Sequence, residues 1–163
     1  WGYDDKGSEY FTLRVRDLAT GEDLADVIEN TAGGGVWAPD GKSFFYTLQD
    51  ENHRPSKVFH HILGEPQSAD RLVFEEKDPG FFMGVGGSLL DDFIYIDIHD
   101  HETSEAWLIP SDRPDAEPRR QGVVGRGRLL RVTEDRRGSI GGLFDGRQVQ
   151  QQVGAGSVLL HQF

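Results

Sequence analysis

Val36-Trp37-Ala38-Pro39-Asp40-Gly41-Lys42-Ser43-Phe44-Phe45-Tyr46-Thr47 reads as two strands around a tight turn. Apolar residues flank Pro39-Asp40-Gly41-Lys42, and Asp-Gly favours a type I′ hairpin because Gly accepts positive φ. The pattern then returns at a fixed distance. Ser43-Phe44-Phe45-Tyr46-Thr47 is matched 49 positions later by Asp92-Phe93-Ile94-Tyr95-Ile96. Phe11-Thr12-Leu13-Arg14-Val15-Arg16, Lys57-Val58-Phe59-His60-His61-Ile62 and Ser104-Glu105-Ala106-Trp107-Leu108-Ile109 start at 11, 57 and 104, which is 46 and then 47 positions apart. Asp26-Val27-Ile28-Glu29 precedes Leu72-Val73-Phe74-Glu75 by 46. Three strand families in one order, at this period, point to the four-stranded antiparallel blades of a β-propeller.

The spacing predicts strands at 33–38, 43–49, 57–63 and 70–76 for one blade and at 80–87, 92–98, 104–109 and 117–124 for the next, with 9–17 and 24–29 ending a preceding one. No segment couples helical apolar spacing to capping residues over ten or more positions, so the expected fold class is all-β. A ring normally closes with four or more blades. Residues 1–118 therefore read as about two and a half blades of a partial propeller, and the chain as a fragment.

Charge separates the remainder. The net charge is −11, but residues 1–118 carry nine Lys+Arg against 25 Asp+Glu, whereas 119–163 carry eight Arg, no Lys and three Asp+Glu. The segment 119–163 is also rich in Gly and Gln. Two readings stand: a divergent further blade, or a non-native tail produced by reading another frame. An acidic body disfavours specific nucleic-acid binding, and the Arg-rich tail permits only weak nonspecific contact. No stretch approaches the ~20 apolar residues of a membrane span, and no secretory pattern follows Trp1. The absence of Cys excludes disulfides and thiolate metal sites and leaves a lean to the cytoplasm.

Four stretches carry a more specific likeness. They are Asp4-Asp5-Lys6-Gly7-Ser8-Glu9-Tyr10-Phe11 with its continuation to Glu22, Val36 to Thr47, Asp50-Glu51-Asn52-His53-Arg54-Pro55, and Ile96-Asp97-Ile98-His99-Asp100-His101-Glu102-Thr103 with its continuation to Ile109. In this order they resemble the N-terminal propeller of the prolyl oligopeptidase serine peptidase family, in its oligopeptidase B branch. The likeness covers about residues 3–118. It implies a seven-bladed-type propeller that covers the active site of a cytoplasmic serine peptidase and admits short peptides, with a preference for basic ones. That family's chemistry resides in an α/β-hydrolase domain with a Ser-Asp-His triad. No Gly-x-Ser-x-Gly elbow occurs in this sequence, and a Ser without base and oxyanion hole is a poor nucleophile. No catalytic residue is assigned, and the chain alone is expected to be inactive. The rival reading is a stand-alone propeller-like module that holds a protein or peptide.

Asp97, His99, Asp100, His101 and Glu102 form the densest run of potential ligands. In a strand Asp97, His99 and His101 would share a face, which is compatible with chelation; an ordinary strand and turn is the favoured reading, and no metal or cofactor is assigned. His99, Asp100, His101 and Glu102 are instead the candidate substrate-gating loop. His60 and His61 point to opposite faces of a strand, which predicts one packed and one exposed. Trp37, Phe44, Tyr46, Phe81, Phe82, Phe93, Tyr95 and Trp107 are expected to pack between blades, and open blade faces to drive self-association.

Overall fold

A computed structural model describes residues 1–125, 151–153 and 156–158 of the chain. Ten strands occupy the first of these ranges: β1 (Gly2–Tyr3), β2 (Phe11–Arg16), β3 (Asp23–Trp37), β4 (Ser43–Gln49), β5 (Pro55–Ile62), β6 (Arg71–Glu75), β7 (Phe82–Gly87), β8 (Phe93–His99), β9 (Thr103–Pro110) and β10 (Arg119–Gly125). Among the described residues, β11 (Gln151–Val153) and β12 (Gly156–Val158) pair with each other. The one helical turn among the described residues is the 3₁₀ segment Gln67–Ala69. The chain is thus all-β and antiparallel, as its periodicity predicts. The choice between divergent blade and non-native tail falls mostly on residues outside the described ones.

β3 serves two blades. Its first half pairs with β2, from Arg16↔Asp23 to Phe11↔Thr31, and its last residues pair with β4, Gly35↔Tyr46 to Trp37↔Phe44. Between them the backbone turns through Asn30 at φ 60° and Gly33 at φ 94°. The first blade is therefore β1, β2 and the start of β3; the second is the end of β3 with β4, β5 and β6; the third is β7 to β10. Gly35 is needed where β3 passes β4, because a Cβ there would lie 2.9 Å from the Phe45 carbonyl oxygen.

Alternation along β4 sends side chains into two seams. Phe44 and Tyr46 pack with Leu13, Val15 and Ile28 of the first blade. Phe45 packs the other way, with Ile94, Ile96, Ile98 and Ile109 of the third. Each fully buried side chain of this size contributes roughly 1.5–3 kcal/mol relative to exposure. The third blade's opposite face carries Phe93, Tyr95 and Asp97, for which Gly86 and Gly84 of β7 leave room: a Cβ at those positions would meet Tyr95 at 2.5 Å and Asp97 at 2.8 Å.

Three sequence expectations need correction. The turn at Asp40-Gly41 is not type I′. Positive φ falls on Gly41 but not on Asp40, and the Gly41 N–H donates to the Ala38 carbonyl at 3.0 Å around Pro39 and Asp40. Pro39 holds φ near −65° and so selects a type I turn followed by a left-handed Gly. Ser88 to Asp91 repeats this geometry in the third blade, with Asp91 at φ 57°. Trp37 and Phe82 are about half exposed, at 48% and 52%, because they sit at strand ends beyond the seam.

The third correction concerns the His pair. Both are buried, His60 at 4% and His61 at 0% exposure, since a blade between two neighbours has no solvent face. His60 stacks on Phe45 at 4.5 Å, and its Nε2 has no partner. Burial, with the nearby Arg71 charge, holds the His60 imidazole below its ordinary range. The folded chain thus binds fewer protons here than the unfolded chain. His60's contribution is full above about pH 6.5 and is lost as pH falls through the lower folded value. Replacing His60 by Phe is expected to flatten the decline of stability over that acid range. Equal slopes for both proteins in urea titrations would contradict this.

Candidate functional site

The β8–β9 turn holds the gating-loop candidates, and Asp100 organises it. One of its oxygens accepts the Glu102 N–H at 2.7 Å, the Thr103 N–H at 2.5 Å and the Thr103 hydroxyl at 3.0 Å. The backbone N–H of Glu102, then that of Thr103, hold the Asp100 carboxyl below the ordinary carboxylate range. β8 ends at His99, so His101 lies in the turn rather than in strand register. The shared face expected of Asp97, His99 and His101 stops there. Asp97 and His99 do meet, with His99 Nδ1 3.2 Å from Asp97 Oδ2, and the His99 ring stacks on Phe82 at 5.9 Å. His101 and Glu102 are exposed.

The same device recurs in the other blades. Asp50 accepts the N–H groups of Asn52 and Arg54 at 2.9 and 3.1 Å. Asp4 accepts those of Glu9 and Lys6 at 2.7 and 3.1 Å. Burial acts against ionisation of Asp50, yet the two N–H groups and Arg54 outweigh it and hold the carboxyl low. The Glu9 N–H does the same for Asp4. Asp4, Asp50 and Asp100 are 46 and then 50 positions apart, a repeat within the repeat that could have been read from the sequence.

Contacts between blades join these turns into one rim, and no local pattern announces them. The Tyr10 hydroxyl donates to the Asp50 carbonyl at 2.8 Å, and its ring lies 4.3 Å from that of His53. Arg54 pairs with Asp50 at 3.0 Å and donates to the carbonyls of Asp78 at 2.8 Å, Phe81 at 3.2 Å and Glu76 at 3.4 Å. The guanidinium thereby ties the second blade to the segment leading into the third. At the opposite end, the β3–β4 and β7–β8 turns enclose a cleft of about 320 Å³ lined by Trp37, Pro39, Gly41, Gly87, Asp91 and Phe93 among others. Among the described residues no three His, Cys, Asp or Glu side chains converge as a metal site.

Consecutive four-stranded blades packed face to face accord with the comparisons with known proteins. The prolyl oligopeptidase N-terminal β-propeller domain model matches residues 1–135. The chain belongs to this family. It is 40% identical over 112 residues to dipeptidyl aminopeptidase BI of Pseudoxanthomonas mexicana, covering 68% of this chain and 16% of the relative. It is 36% identical over 110 residues to protease 2 of Moraxella lacunata, covering 66% and 16%. Oligopeptidase B from Leishmania major superposes with a TM-score of 0.72 at 27% identity, over 80% of this chain and 19% of that one. The chain thus spans about a sixth of the length of these curated relatives. No described helix of this propeller is long and apolar enough to cross a membrane.

Proposed function

We propose that this prolyl oligopeptidase-family propeller segment serves an oligopeptidase B-like serine peptidase by restricting access of short peptides to a hydrolase domain and favouring basic ones. The observation that carries the reading is the family match over residues 1–135. The turn rim supports it physically. Asp5, Glu51 and Glu102 stand exposed on successive turns, while Arg54 is engaged with Asp50 and backbone carbonyls. Such an end attracts cationic peptides over about a Debye length, ~10 Å at 0.1 M salt. His99, Asp100, His101 and Glu102 form the part of the rim assigned to gating, with Asp100 as its internal brace. Residues 1–118 act as blades of a larger ring, catalysis belongs to the hydrolase domain, and the compartment is the cytoplasm.

The test is charge reversal in the whole peptidase containing this segment. Asp5→Lys with Glu51→Lys is expected to lower kcat/KM for Arg- and Lys-containing peptides about three- to tenfold at low ionic strength, with the difference shrinking as salt rises. An equal effect on neutral peptides, or none that salt modulates, would refute the steering. The segment by itself is expected to self-associate through open blade faces carrying groups such as Phe82, and a monodisperse monomer by light scattering at micromolar concentration would contradict this.

A further inference from the structure

The first and second blades meet around a polar cluster that the gating reading does not use. His61, on β5, is fully buried. Its Nδ1 lies 2.7 Å from Asp70 Oδ1 and its Nε2 lies 3.0 Å from Asp26 Oδ1. Asp70 precedes β6 in the second blade, whereas Asp26 lies on the part of β3 that belongs to the first. The imidazole therefore bridges the seam. The outer bonds of the cluster are also made: the Gly64 N–H donates to Asp26 Oδ1 at 2.6 Å, and the Tyr46 hydroxyl donates to Asp70 Oδ2 at 2.8 Å.

Proton bookkeeping makes this arrangement conditional. An ionised carboxylate only accepts, and a neutral imidazole has one N–H to give. Two close contacts between imidazole nitrogens and carboxylate oxygens require two protons, one more than neutral His and two carboxylates possess. We propose that Asp26, His61 and Asp70 form a proton-held latch between the first and second blades, closed while both contacts carry a proton and released when one is withdrawn. Release leaves a nitrogen lone pair against a carboxylate at hydrogen-bond distance in a buried site. The seam must then part or hydrate.

The groups facing the cluster are few. β3 contributes Asp26, β4 contributes Tyr46 and the Phe44 ring at 4.9 Å, and the Gly64 to Asp70 segment contributes the Gly64 N–H, Asp70 and Gln67 beside Tyr46. Leu13 and Val15 of β2 bring no charge. Among the described residues, the ion pairs of Asp26 and Asp70 are with His61. Burial raises the Tyr46 phenol, and Asp70 raises it further, so this hydroxyl stays a donor. Burial opposes ionisation of Asp26, but the Gly64 N–H and His61 outweigh it and hold the carboxyl low, so the proton of the Nε2–Asp26 contact belongs to the ring.

The rest of the seam is thinner than its neighbour. Its buried apolar residues are Leu13, Val15, Ile28, Phe44 and Tyr46, whereas eight, Phe45 and Ile94 among them, fill the seam between the second and third blades. The covalent link across the latch is the bend from Asn30 to Gly33, both at positive φ. These features place proton-sensitive opening at one joint.

The experiment combines heteronuclear NMR of ¹⁵N-histidine-labelled chain with amide hydrogen exchange at several pH values, corrected for intrinsic rates. The expected result is an N–H on both nitrogens of the His61 ring while the seam is closed, and the loss of one of them when it opens. Protection of β2 amides should fall about tenfold with that loss while β8 amides keep theirs. In Asp70→Asn the amide N–H can donate to Nδ1 of a neutral ring while its oxygen still accepts from the Tyr46 hydroxyl, and the pH dependence should vanish. A His61 ring with a single N–H throughout would overturn the latch, as would equal pH dependence in β2 and β8, or unchanged dependence in a folded Asp70→Asn. If that variant does not fold, the wild-type spectra decide alone.

Discussion

His61→Ala is expected to destabilise the chain by about 3–5 kcal/mol, because it leaves two buried carboxylates facing each other without the imidazole that joins them. Asp26 and Asp70 have side-chain exposures of 2% and 1%, so bulk solvent does not reach them to screen their repulsion. Denaturant unfolding of both proteins at neutral pH measures the difference, and a loss under about 1 kcal/mol would show that the cluster contributes little. Adding Asp26→Asn and Asp70→Asn to His61→Ala removes the unpaired charges and is expected to recover part of the loss. That recovery separates charge burial from the cavity left by the ring.

Phe45→Ala is expected to cost about 3–5 kcal/mol through a different cause, loss of transfer energy plus a cavity. Phe45 is fully buried among Val58, Ile94, Ile96 and Ile109 and stacks on His60. Its neighbours belong to two sheets, and collapse of the cavity would require the second and third blades to approach. Phe45→Leu keeps most of the volume and is expected to cost clearly less. Equal losses for the two variants in the same unfolding assay would mean that the seam is loosely packed at this point.

The sequence by itself determined the strands from β2 to β10, their antiparallel grouping into blades and where the turns between them fall, although not the form of the Asp40-Gly41 turn. Period-2 alternation and the repeat of about 46 to 50 residues are local properties that each strand carries in its own order of side chains. The Asp4, Asp50 and Asp100 turns belong to the same class, since a carboxylate reaches N–H groups two to five residues ahead without help from the rest of the fold. The gating candidates His99 to Glu102 were equally legible as a polar turn, although its form depends on Asp100 ending the strand register.

Only the tertiary structure decided what covers each face. Alternation separates His60 from His61 but cannot say that both faces of β5 are occluded, because burial there comes from blades some 35 to 55 residues away in the chain, through Asp26 on one side and Asp115 on the other. The same holds for Arg54, whose fork is filled by carbonyls 22 to 27 residues distant, and for Trp37 and Phe82, whose exposure reflects where the seam ends. Local side-chain order fixes how a strand pleats. Which groups share a proton or lose their water depends on contacts between blades, which strand periodicity does not encode.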